Sequence, residues 1–584
     1  MEDCLATSSP LTGKHAQARP ADRMLIANRG EIAIRIARAG AALGLETVAL
    51  HPADDAGARH VLSADQAIEL PGRGAAAYLD IEAVIAAAKA AGCGLVHPGY
   101  GFLSESAAFA SRCAQEGLCF IGPAPQVLAR LGDKAQARAL ARELGVPVVD
   151  GTGPLSSPAE AEAFLASQPA GAAAMVKAVA GGGGRGIRTV RDVSELPGAL
   201  ESCANEARAA FGDDTLYVER LIERARHVEV QILGDEQGGI VHLWNRECTL
   251  QRRNQKLLEI APSPWISDAL RDAMLHDACR MAAEVGYRGL ATMEFLVDLD
   301  RGDYAFLEVN PRLQVEHTIT EEVTGIDLVA AQIRVCRGES LTALGLTQDQ
   351  IPAPRGIAVQ ARVNAEVMAP DGTARMSAGR ITAYEVPGGP GVRVDGAGYG
   401  GLVLSPHYDS LLAKVILRGG QDWGSLLARL DRALAEFRIE GIESNIGFLR
   451  KLIALPEVAQ GAITTRMVDE RAAALVLADD PAQAFPMAMA DGAAADNAMH
   501  IPDGLVPVTA PMSGVLARLL VREGDAVAKG TPVAVLEAMK MEHIIHADQA
   551  GYVRQLAAEE AVVAQGAPLL LLESAEVEAG EAAP

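Results

Sequence analysis

The sequence predicts a mixed α/β chain that ends in a small, separate all-β domain of the β-sandwich type. Three observations lead to this fold class. From about residue 24 to 130, short apolar strands alternate with helix-periodic segments, as in parallel α/β domains. From 137 to 355 the pattern changes to hairpins and amphipathic helices around a glycine-rich segment. Residues 514–573 hold two copies of one pattern of short strands and turns.

Composition limits the function classes that fit this chain. Its 584 residues suffice for three or four domains. A net charge of −23 disfavours a nucleic-acid or anionic-membrane partner, and no apolar run approaches the ~18 residues of a membrane helix. The eight cysteines are scattered without metal-type spacing, which favours a reduced, cytoplasmic location.

The chain divides into seven predicted segments. Residues 1–22 are polar and lack the features of a secretory or transit peptide. Residues 472–505 are rich in Ala, Asp and Met without periodicity, and a flexible coil of this length spans roughly 30–35 Å. We predict, in order, a disordered leader at 1–22, an N-terminal domain at 23–136, a central domain at 137–355, a third domain at 356–471, a flexible linker at 472–505, the all-β domain at 506–574 and an acidic tail at 575–584.

The glycine-rich segment has the composition of a phosphate-binding loop. Lys177 lies on an apolar strand at 175–180, and the run GGGGRG follows at 181–186. Because glycine has no Cβ, backbone N–H groups of such a loop can approach phosphate oxygens closely. The loop alone is a weak signal, and the absence of a Walker A motif disfavours a P-loop NTPase.

Two carboxylates on a predicted hairpin indicate a metal site. If the turn is centred on Arg301, Glu294 and Glu308 lie directly opposite each other with facing Cβ atoms ~5 Å apart. Thr292 and Asn310 share their face, and opposed carboxylates beside an amide suit Mg²⁺. The other face would be apolar, with Met293, Phe295, Val297, Ala305, Leu307 and Val309. A further strand places His227, Glu229 and Gln231 on one face, as either structural or ligand residues.

The two copies of the C-terminal pattern predict a β-sandwich with approximate two-fold symmetry. Lys540 falls in the segment that joins the copies, so we expect it at a hairpin tip between Met539 and Met541. Exposed methionines do not add to a core, which points to a function for this lysine. The equivalent positions are Gly514 and Gly551, Gly530 and Gly566, Pro532 and Pro568, and Glu537 and Glu573.

Several motifs resemble those of the biotin carboxylases, which are members of the ATP-grasp superfamily. The resemblance runs from about residue 24 to 470, and the motif EAMKM at 537–541 resembles the attachment site of biotinyl carrier domains. The resemblance implies an ATP-grasp biotin carboxylase fold followed by a biotinyl/lipoyl-type β-sandwich. The motifs are IANRGEIAIRI at 26–36, HPGYGFLSE at 97–105, GDK at 132–134, the glycine loop, RHVEVQ at 226–231, QRRNQK at 251–256 and EVNPRLQVEH at 308–317.

The resemblance also implies the cofactors and the site residues. The cofactors would be biotin, attached covalently to Lys540, and ATP with Mg²⁺ or Mn²⁺. The implied ATP-binding residues are Lys134, Lys177, Gly181, Gly182, Gly183, Gly184, Glu219, Ile222, His227 and Gln251. The implied metal ligands are Glu294 and Glu308 with Asn310 adjacent, and the implied bicarbonate site is Lys256, Arg312, Gln314, Val315 and Glu316. The implied catalytic residues are Glu316, Arg312, Arg362 and Lys256.

The implied chemistry explains these residue types. Bicarbonate is a poor electrophile that ATP activates by phosphorylation, and cations must offset the negative charge that gathers during transfer. Arginine grips a carboxylate-like anion in a bidentate manner. Biotin's ureido nitrogen is a very weak acid, so it needs a base and a cation at the developing enolate oxygen. In the family scheme Glu316 takes the bicarbonate proton and Arg362 stabilises the enolate.

The resemblance further implies partners. The chain would be the biotin-containing subunit of an acyl-CoA carboxylase, with a separate carboxyltransferase subunit, a biotin protein ligase and a homo-oligomeric state within a larger complex. Pyruvate or urea as acceptor, a carrier or scaffold with a silent ATP site, and another ATP-grasp ligase with a lipoyl-type carrier remain alternatives. Two positions depart from the family pattern, because Asn254 and Ile357 stand where histidine is usual.

Overall fold

The structure is a computed structural model that describes residues 22–169, 172–179, 186–479, 481, 501–502, 504–538, 541–557, 559 and 561–574. The predicted acidic tail, all but Asp22 of the predicted leader and residues 482–500 of the predicted linker lie outside this description. Gly181 to Gly184 and Lys540 lie outside it as well. Within the described residues, no helix has both the length and the apolar character needed to cross a bilayer.

The N-terminal domain is a parallel five-stranded sheet flanked by helices, as the alternating pattern predicts. The strand order is β3-β2-β1-β4-β5, and every pairing is parallel. Apolar strand residues such as Leu25 and Val48 are completely buried under the helices. The elements are β1 (Arg23–Ile26), α1 (Gly30–Ala42), β2 (Glu46–Pro52), β3 (Gln66–Leu70), α2 (Gly74–Ala77), α3 (Ile81–Ala90), β4 (Leu95–His97), α4 (Ala107–Gln115), β5 (Cys119–Phe120) and α5 (Pro125–Gly132).

The central domain contains a three-stranded sheet, β7-β6-β8, and five strands of a large antiparallel sheet. Its elements are α6 (Lys134–Glu143), α7 (Pro158–Ser167), β6 (Ala174–Ala178), β7 (Ile187–Val190), α8 (Leu196–Phe211), β8 (Leu216–Arg220), β9 (Ala225–Gly234), β10 (Ile240–Arg252), β11 (Gln255–Ala261), α9 (Asp268–Glu284), β12 (Gly289–Asp298), β13 (Asp303–Asn310), α10 (His317–Thr324), α11 (Leu328–Cys336) and α12 (Leu341–Leu344).

The third domain completes the large sheet, whose eight strands run β13-β12-β9-β10-β11-β14-β21-β19. One sheet therefore crosses the boundary predicted at 355/356. The elements are β14 (Ile357–Asn364), β15 (Glu366–Met368), β16 (Ala374–Met376), β17 (Gly379–Arg380), β18 (Ala383–Glu385), β19 (Val392–Gly396), β20 (Val403–Leu404), β21 (Leu411–Gly419), α13 (Trp423–Glu436), β22 (Arg438–Glu440), α14 (Ile446–Ile453), α15 (Pro456–Gln460) and α16 (Met467–Leu477).

The last helix corrects the start of the predicted linker. Helix α16 extends to Leu477, so residues 472–477 are helical rather than part of a flexible segment. The physical reason is packing, because Ala472 and Leu475 are buried and Leu475 belongs to the core of the third domain. The simple composition of this stretch gives no helical periodicity, but its helix has an apolar face that tertiary contacts stabilise.

The hairpin of β12 and β13 confirms that Glu294 and Glu308 are opposite each other. The turn is not symmetric about Arg301, however, because the Asp298 carboxylate accepts backbone N–H groups of Asp300 at 3.0 Å and Arg301 at 3.2 Å. Asp298 therefore pairs with Asp303, and a bulge beyond Glu294 restores the register.

The bulge changes which residue of β13 enters the core. Phe295 pairs with Phe306, and both are completely buried with Met293 under α6 and α9. The prediction that Leu307 lines this core is wrong, since Leu307 is only half-buried. Ala305 is buried in a separate small cluster.

The C-terminal domain is a sandwich of two four-stranded sheets, which confirms the predicted β-sandwich. In the order given by the strand ranges below, the sheets run β23-β30-β28-β25 and β27-β26-β24-β29. The short strand β25 of the first copy therefore joins the sheet of the second copy, and the equivalent strand β29 of the second copy joins the sheet of the first. A Cβ at Gly514 or Gly551 would lie 2.5 Å from the carbonyl oxygen of Glu537 or Glu573 respectively, which explains both glycines. The strands are β23 (Leu505–Thr509), β24 (Gly514–Leu519), β25 (Ala526–Val527), β26 (Pro532–Ala538), β27 (Met541–His546), β28 (Gly551–Leu556), β29 (Val562–Val563) and β30 (Pro568–Ser574).

The predicted hairpin tip lies between β26 and β27. Ala538, the last residue of β26, pairs with Met541, the first residue of β27. Only Met539 and Lys540 separate them, and both lie outside the described residues. The described strands thus agree with a hairpin that places Lys540 between them in sequence.

The position of the bulge is testable by truncating its two neighbours. We expect Phe306→Ala to lower the free energy of unfolding by about 3–5 kcal/mol, because it leaves a cavity in the core. Leu307→Ala should cost clearly less, on the order of 1 kcal/mol, since its side chain is half-buried. Denaturant unfolding of both variants measures the difference, and equal losses would contradict the observed register.

Candidate active site

Three buried carboxylates converge on the ammonium group of Lys256. The Nζ atom of Lys256 donates to Glu229 at 2.6 Å, to Glu294 at 3.1 Å and to Glu316 at 2.5 Å. The large sheet brings them together, since Glu229 on β9 pairs directly with Glu294 on β12 and Lys256 lies on β11. Burial alone would lower the pKa of Lys256, but the neighbouring anions raise it well above its usual range. The lysine therefore stays charged.

Glu316 is held from its other side by Arg362. The Nη2 atom of Arg362 donates to Glu316 at 3.1 Å, and its Nε atom donates to Glu259, which is completely buried on β11. Burial alone would raise the pKa of Glu316, but Lys256, Arg362 and Arg246 outweigh burial and hold it below its usual range. The carboxylate is therefore ionised, which is the state that a proton acceptor needs, although the same cations reduce its basicity.

Glu294 collects neutral donors in addition to Lys256. It accepts hydrogen bonds from Asn310 at 2.9 Å and Gln314 at 3.1 Å, and His227 Nε2 lies 2.9 Å from its second oxygen. Burial by itself lowers the pKa of His227, but Glu294 outweighs it and raises that pKa. Of the two predicted metal-binding carboxylates, Glu294 therefore has more polar contacts than Glu308.

The donor set suits a hard divalent cation at this point. Glu308 faces Glu294 across the hairpin, and ligand atoms of His227, Glu229 and Glu294 lie within 4.8 Å of one another. The amide nitrogen of Asn310 faces Glu294, while its oxygen accepts from Arg312 at 3.0 Å. Oxygen ligands dominate Mg²⁺ sites, so these carboxylates fit the predicted ion.

A second cluster lies where the nucleotide is predicted to bind. Glu219 on β8 is buried between Lys177, which contacts one of its oxygens, and Arg138, whose Nη1 atom donates to the other at 2.6 Å. Lys134 begins α6 and forms an ion pair with Glu308 at 2.7 Å, which joins this cluster to the carboxylates of the hairpin. Ile222 is buried against apolar neighbours, and Gln251 is buried beside Lys256 in the register of β10 and β11.

The segment between β13 and α10 carries the predicted bicarbonate residues. Arg312 donates to Glu105 at 3.0 Å, and Glu105 lies in the motif at 97–105 of the N-terminal domain. Gln314 contacts Glu294, the carbonyl oxygen of Val315 accepts from Lys414 at 3.0 Å, and Glu316 directly precedes α10. Because the resemblance implies a catalytic role for this segment, we call residues 312–316 the catalytic loop.

Four charged residues of the site were not predicted as site residues, of which Arg246 is the most central. It is completely buried on β10 and donates to Glu229, to Gln231 at 2.6 Å, to Thr292 at 3.0 Å, to Thr320 at 3.0 Å and to Gln314 at 3.4 Å. No local signal identifies it, since arginine on a strand is normally exposed. The others are Arg138, Glu229 and Glu259; of these, the alternation of β9 does place Glu229 on the correct face.

The two departures from the family pattern have structural explanations. Asn254 is exposed in the two-residue turn between β10 and β11, with a φ of +66°, a backbone conformation that asparagine adopts readily. Ile357 is buried in the core at the start of β14. Among the described residues, neither side chain has a hydrogen bond or ion pair with the cluster around Lys256.

Comparison with known proteins finds family models that match four parts of the chain. Four family models match: biotin carboxylase, N-terminal domain, at residues 20–128; carbamoyl-phosphate synthase L chain, ATP binding domain, at 133–344; biotin carboxylase C-terminal domain at 360–470; and biotin-requiring enzyme at 506–572.

A solved structure decides the family. The biotin carboxylase domain of Hydrogenobacter thermophilus 2-oxoglutarate carboxylase, crystallised with MgADP, ADP and bicarbonate, matches with a TM-score of 0.74 at 39% identity. The match covers 78% of this chain and 99% of that one. The chain belongs to the biotin carboxylase family. It is a biotin-dependent carboxylase with a carboxylase part and a biotinyl carrier domain, its cofactors are biotin and ATP with Mg²⁺, and its reaction is the biotin carboxylase half-reaction.

Two longer relatives bear on the complete reaction. Pyruvate carboxylase from Aspergillus niger is 46% identical over 454 residues, which cover 77% of this biotin carboxylase and 38% of that protein. A single-chain, multi-domain long-chain acyl-CoA carboxylase matches with a TM-score of 0.69 at 40% identity, covering 95% of this chain and 51% of that one. The chain thus spans about two fifths of the curated pyruvate carboxylase and about half of the acyl-CoA carboxylase.

The burial of Arg246 predicts a large effect of its removal. We expect Arg246→Met to lower the free energy of unfolding by about 3–5 kcal/mol, because it leaves buried Glu229 with too little positive charge. Arg224→Met removes an ion pair to Asp300 whose side chains are 62% and 57% exposed, and should cost about 1 kcal/mol or less. Denaturant unfolding of the two variants compares them directly, and similar losses would contradict the assigned role of Arg246.

Proposed function

We propose that this chain uses ATP and bicarbonate to carboxylate biotin attached to Lys540 of its own carrier domain, through the residues predicted from the sequence. The observation that carries the proposal is the placement of Glu316 between Lys256 and Arg362. An ionised carboxylate held between two cations is suited to accept a proton next to a bound anion. A carrier or scaffold with a silent ATP site is less well supported, because no member of this charged set is missing.

The roles that the family resemblance implies for Arg312, Gln314, Val315 and Glu316 of the catalytic loop agree with their contacts. Glu316 accepts the proton of bicarbonate, while Lys256 and Arg312 bind the anion together with Gln314 and the backbone of Val315. Because Lys256 already faces Glu316 at 2.5 Å, a bicarbonate ion bound to Lys256 would lie within reach of the base. Arg362 then faces the biotin ring and offsets the charge on the ureido oxygen.

The nucleotide end is assigned by the same reasoning. Lys134, Lys177 and the loop Gly181 to Gly184 bind the phosphates, and Glu219 and Ile222 bind the adenine with His227 and Gln251 adjacent. Glu294, Glu308 and Asn310 would hold Mg²⁺ or Mn²⁺, which offsets phosphate charge when bound. The ion pair of Lys134 with Glu308 suggests that this lysine exchanges a carboxylate partner for phosphate oxygens when the nucleotide binds.

For the final acceptor, we propose pyruvate or a related 2-oxo acid. The support is the 46% identity to a pyruvate carboxylase and the match to a 2-oxoglutarate carboxylase domain. The sequence-based expectation of an acyl-CoA acceptor is the second candidate, favoured by the long-chain acyl-CoA carboxylase whose match covers 95% of this chain. Urea has no comparable support among these relatives.

The remaining partners follow from the proposed reaction. A carboxyltransferase must take the carboxyl group from biotin, and a separate subunit is the proposed partner, whereas both longer relatives extend well beyond the matched region within one chain. A biotin protein ligase would attach biotin, and a homo-oligomer in the cytoplasm is the proposed state.

The role of Glu316 is testable in the half-reaction. We expect Glu316→Gln to reduce bicarbonate-dependent ADP release with free biotin by about 10²–10⁴-fold, because the amide cannot accept the proton. Glu284→Gln, at the exposed end of α9, should retain the normal rate. Full activity of the Glu316 variant would contradict the proposed base.

The acceptor is testable with the biotinylated protein from its native cells. We expect streptavidin to capture the chain together with a carboxyltransferase activity that fixes labelled bicarbonate into pyruvate rather than into acyl-CoA or urea. Lys540→Ala should abolish capture, whereas Lys529→Ala, at an exposed lysine elsewhere in the carrier domain, should not. Labelling of acyl-CoA alone would instead favour the second candidate.

A further inference from the structure

Lys414 is a fully buried lysine that contacts the catalytic loop through its backbone. Its side chain on β21 is 0% exposed. The Nζ atom lies 3.0 Å from the carbonyl oxygen of Val315, to which it donates, and 3.1 Å from a carboxylate oxygen of Glu31. Lysine is almost never fully buried without such partners, so the two contacts account for its position.

The sheet places Lys414 directly beside Arg362. The two residues are paired in the antiparallel register of β14 and β21, and residues paired in this way project from the same face. Arg362 holds the side chain of Glu316 at 3.1 Å, and Lys414 holds the carbonyl group of the preceding residue, Val315. Two neighbouring cations on one sheet face therefore hold successive residues of the catalytic loop. Arg362 binds the side chain of Glu316, and Lys414 binds the backbone of Val315.

Holding this carbonyl group fixes the peptide that leads into Glu316. Because the peptide unit is planar and trans, the N–H of Glu316 points away from the carbonyl oxygen of Val315. The adjoining carbonyls are also held, since His317 N and Nδ1 lie 3.2 and 2.7 Å from the oxygen of Gln314 and Ile319 N lies 3.3 Å from that of Glu316. With the contact from Lys414 to Val315, the carbonyl oxygens of three successive residues, Gln314, Val315 and Glu316, are each held by a hydrogen bond.

The surroundings of Lys414 are charged and completely enclosed. Glu31 in the first turn of α1 also accepts a hydrogen bond from the Tyr100 hydroxyl group, and burial raises its pKa while Lys414 opposes that effect. Burial and then Lys414 hold the pKa of His317 well below its usual range. A neutral His317 donates its Nδ1–H to the oxygen of Gln314.

We propose that Lys414 is a positioning residue of the half-reaction, which orients the peptide between Val315 and Glu316 so that the Glu316 carboxylate lies between Lys256 and Arg362. This inference rests on the proposed bicarbonate-binding role of the catalytic loop. Lys414 does not itself face substrate, because its ammonium group is enclosed by the Val315 carbonyl group and Glu31. Its loss should therefore affect the bicarbonate step and spare nucleotide binding.

The test uses the full chain with free biotin and three variants. Lys414→Met removes the contact to Val315 but leaves buried Glu31 without its cation, so this variant risks misfolding. The double variant Lys414→Met/Glu31→Gln removes the contact without an unpaired buried charge. Glu31→Gln alone keeps Lys414 on Val315 and is the matched control. Thermal melting checks the fold of each, and ADP release is measured while bicarbonate and ATP are varied separately.

The expected result is a selective loss in the double variant. Its kcat/KM for bicarbonate should fall by about 10- to 100-fold, the range that a misplaced catalytic group produces, while its KM for ATP changes by less than about twofold. Glu31→Gln should remain within about threefold of the wild-type protein on both substrates. Lys414→Met should match the double variant in bicarbonate kinetics if it folds.

Three results would overturn the proposal. They are a folded double variant with wild-type bicarbonate kinetics, a parallel loss for ATP and bicarbonate, and an equal loss in Glu31→Gln alone. Glu316→Gln is measured alongside as a reference. Full activity of Glu316→Gln would reject the proposed catalytic loop itself, whereas its inactivity together with a fully active double variant rejects only the role of Lys414.

Discussion

The site depends on the convergence of three buried carboxylates on one buried ammonium group. Glu229, Glu294 and Glu316 cannot share a dry environment without positive charge, because like charges at this distance repel strongly in a low dielectric. Lys256 touches all three, and further cations add to its positive charge. Arg246 contacts Glu229, Arg362 contacts both Glu316 and Glu259, and His227 lies 2.9 Å from an oxygen of Glu294.

The large antiparallel sheet is the scaffold that makes this convergence possible. Its strands place Glu294, Glu229, Arg246, Lys256 and Arg362 on β12, β9, β10, β11 and β14, which are consecutive neighbours across the sheet. Side chains on one face of adjacent strands are close enough to interact directly. The other face of β9 and β12 is apolar and packs on α6 and α9, so the core and the charged site share the same strands.

The catalytic loop is held against this charged face from several domains at once. Arg312 contacts Glu105 of the N-terminal domain, and Lys414 of the third domain contacts both Val315 and Glu31. Because these long-range contacts join the loop to the N-terminal and third domains, the position of Glu316 depends on the correct packing of all three domains. Preorganised polar groups of this kind are also what a reaction on crowded anions requires, since they need no reorganisation during transfer.

Local periodicity was enough to predict the β-sandwich repeat and the alternation of strands and helices, and the resemblance of the motifs supplied the candidate site. The opposition of Glu294 and Glu308 was predicted correctly, although the prediction rested on a turn centred on Arg301 that the structure does not have. Four further features depend on tertiary contacts: the bulge that buries Phe306, the helical continuation to Leu477, and the buried roles of Arg246 and Lys414. The physical reason is that a charged residue on a strand is exposed by default. It becomes part of a buried network only when partners such as Glu31, hundreds of residues away along the chain, are brought to it.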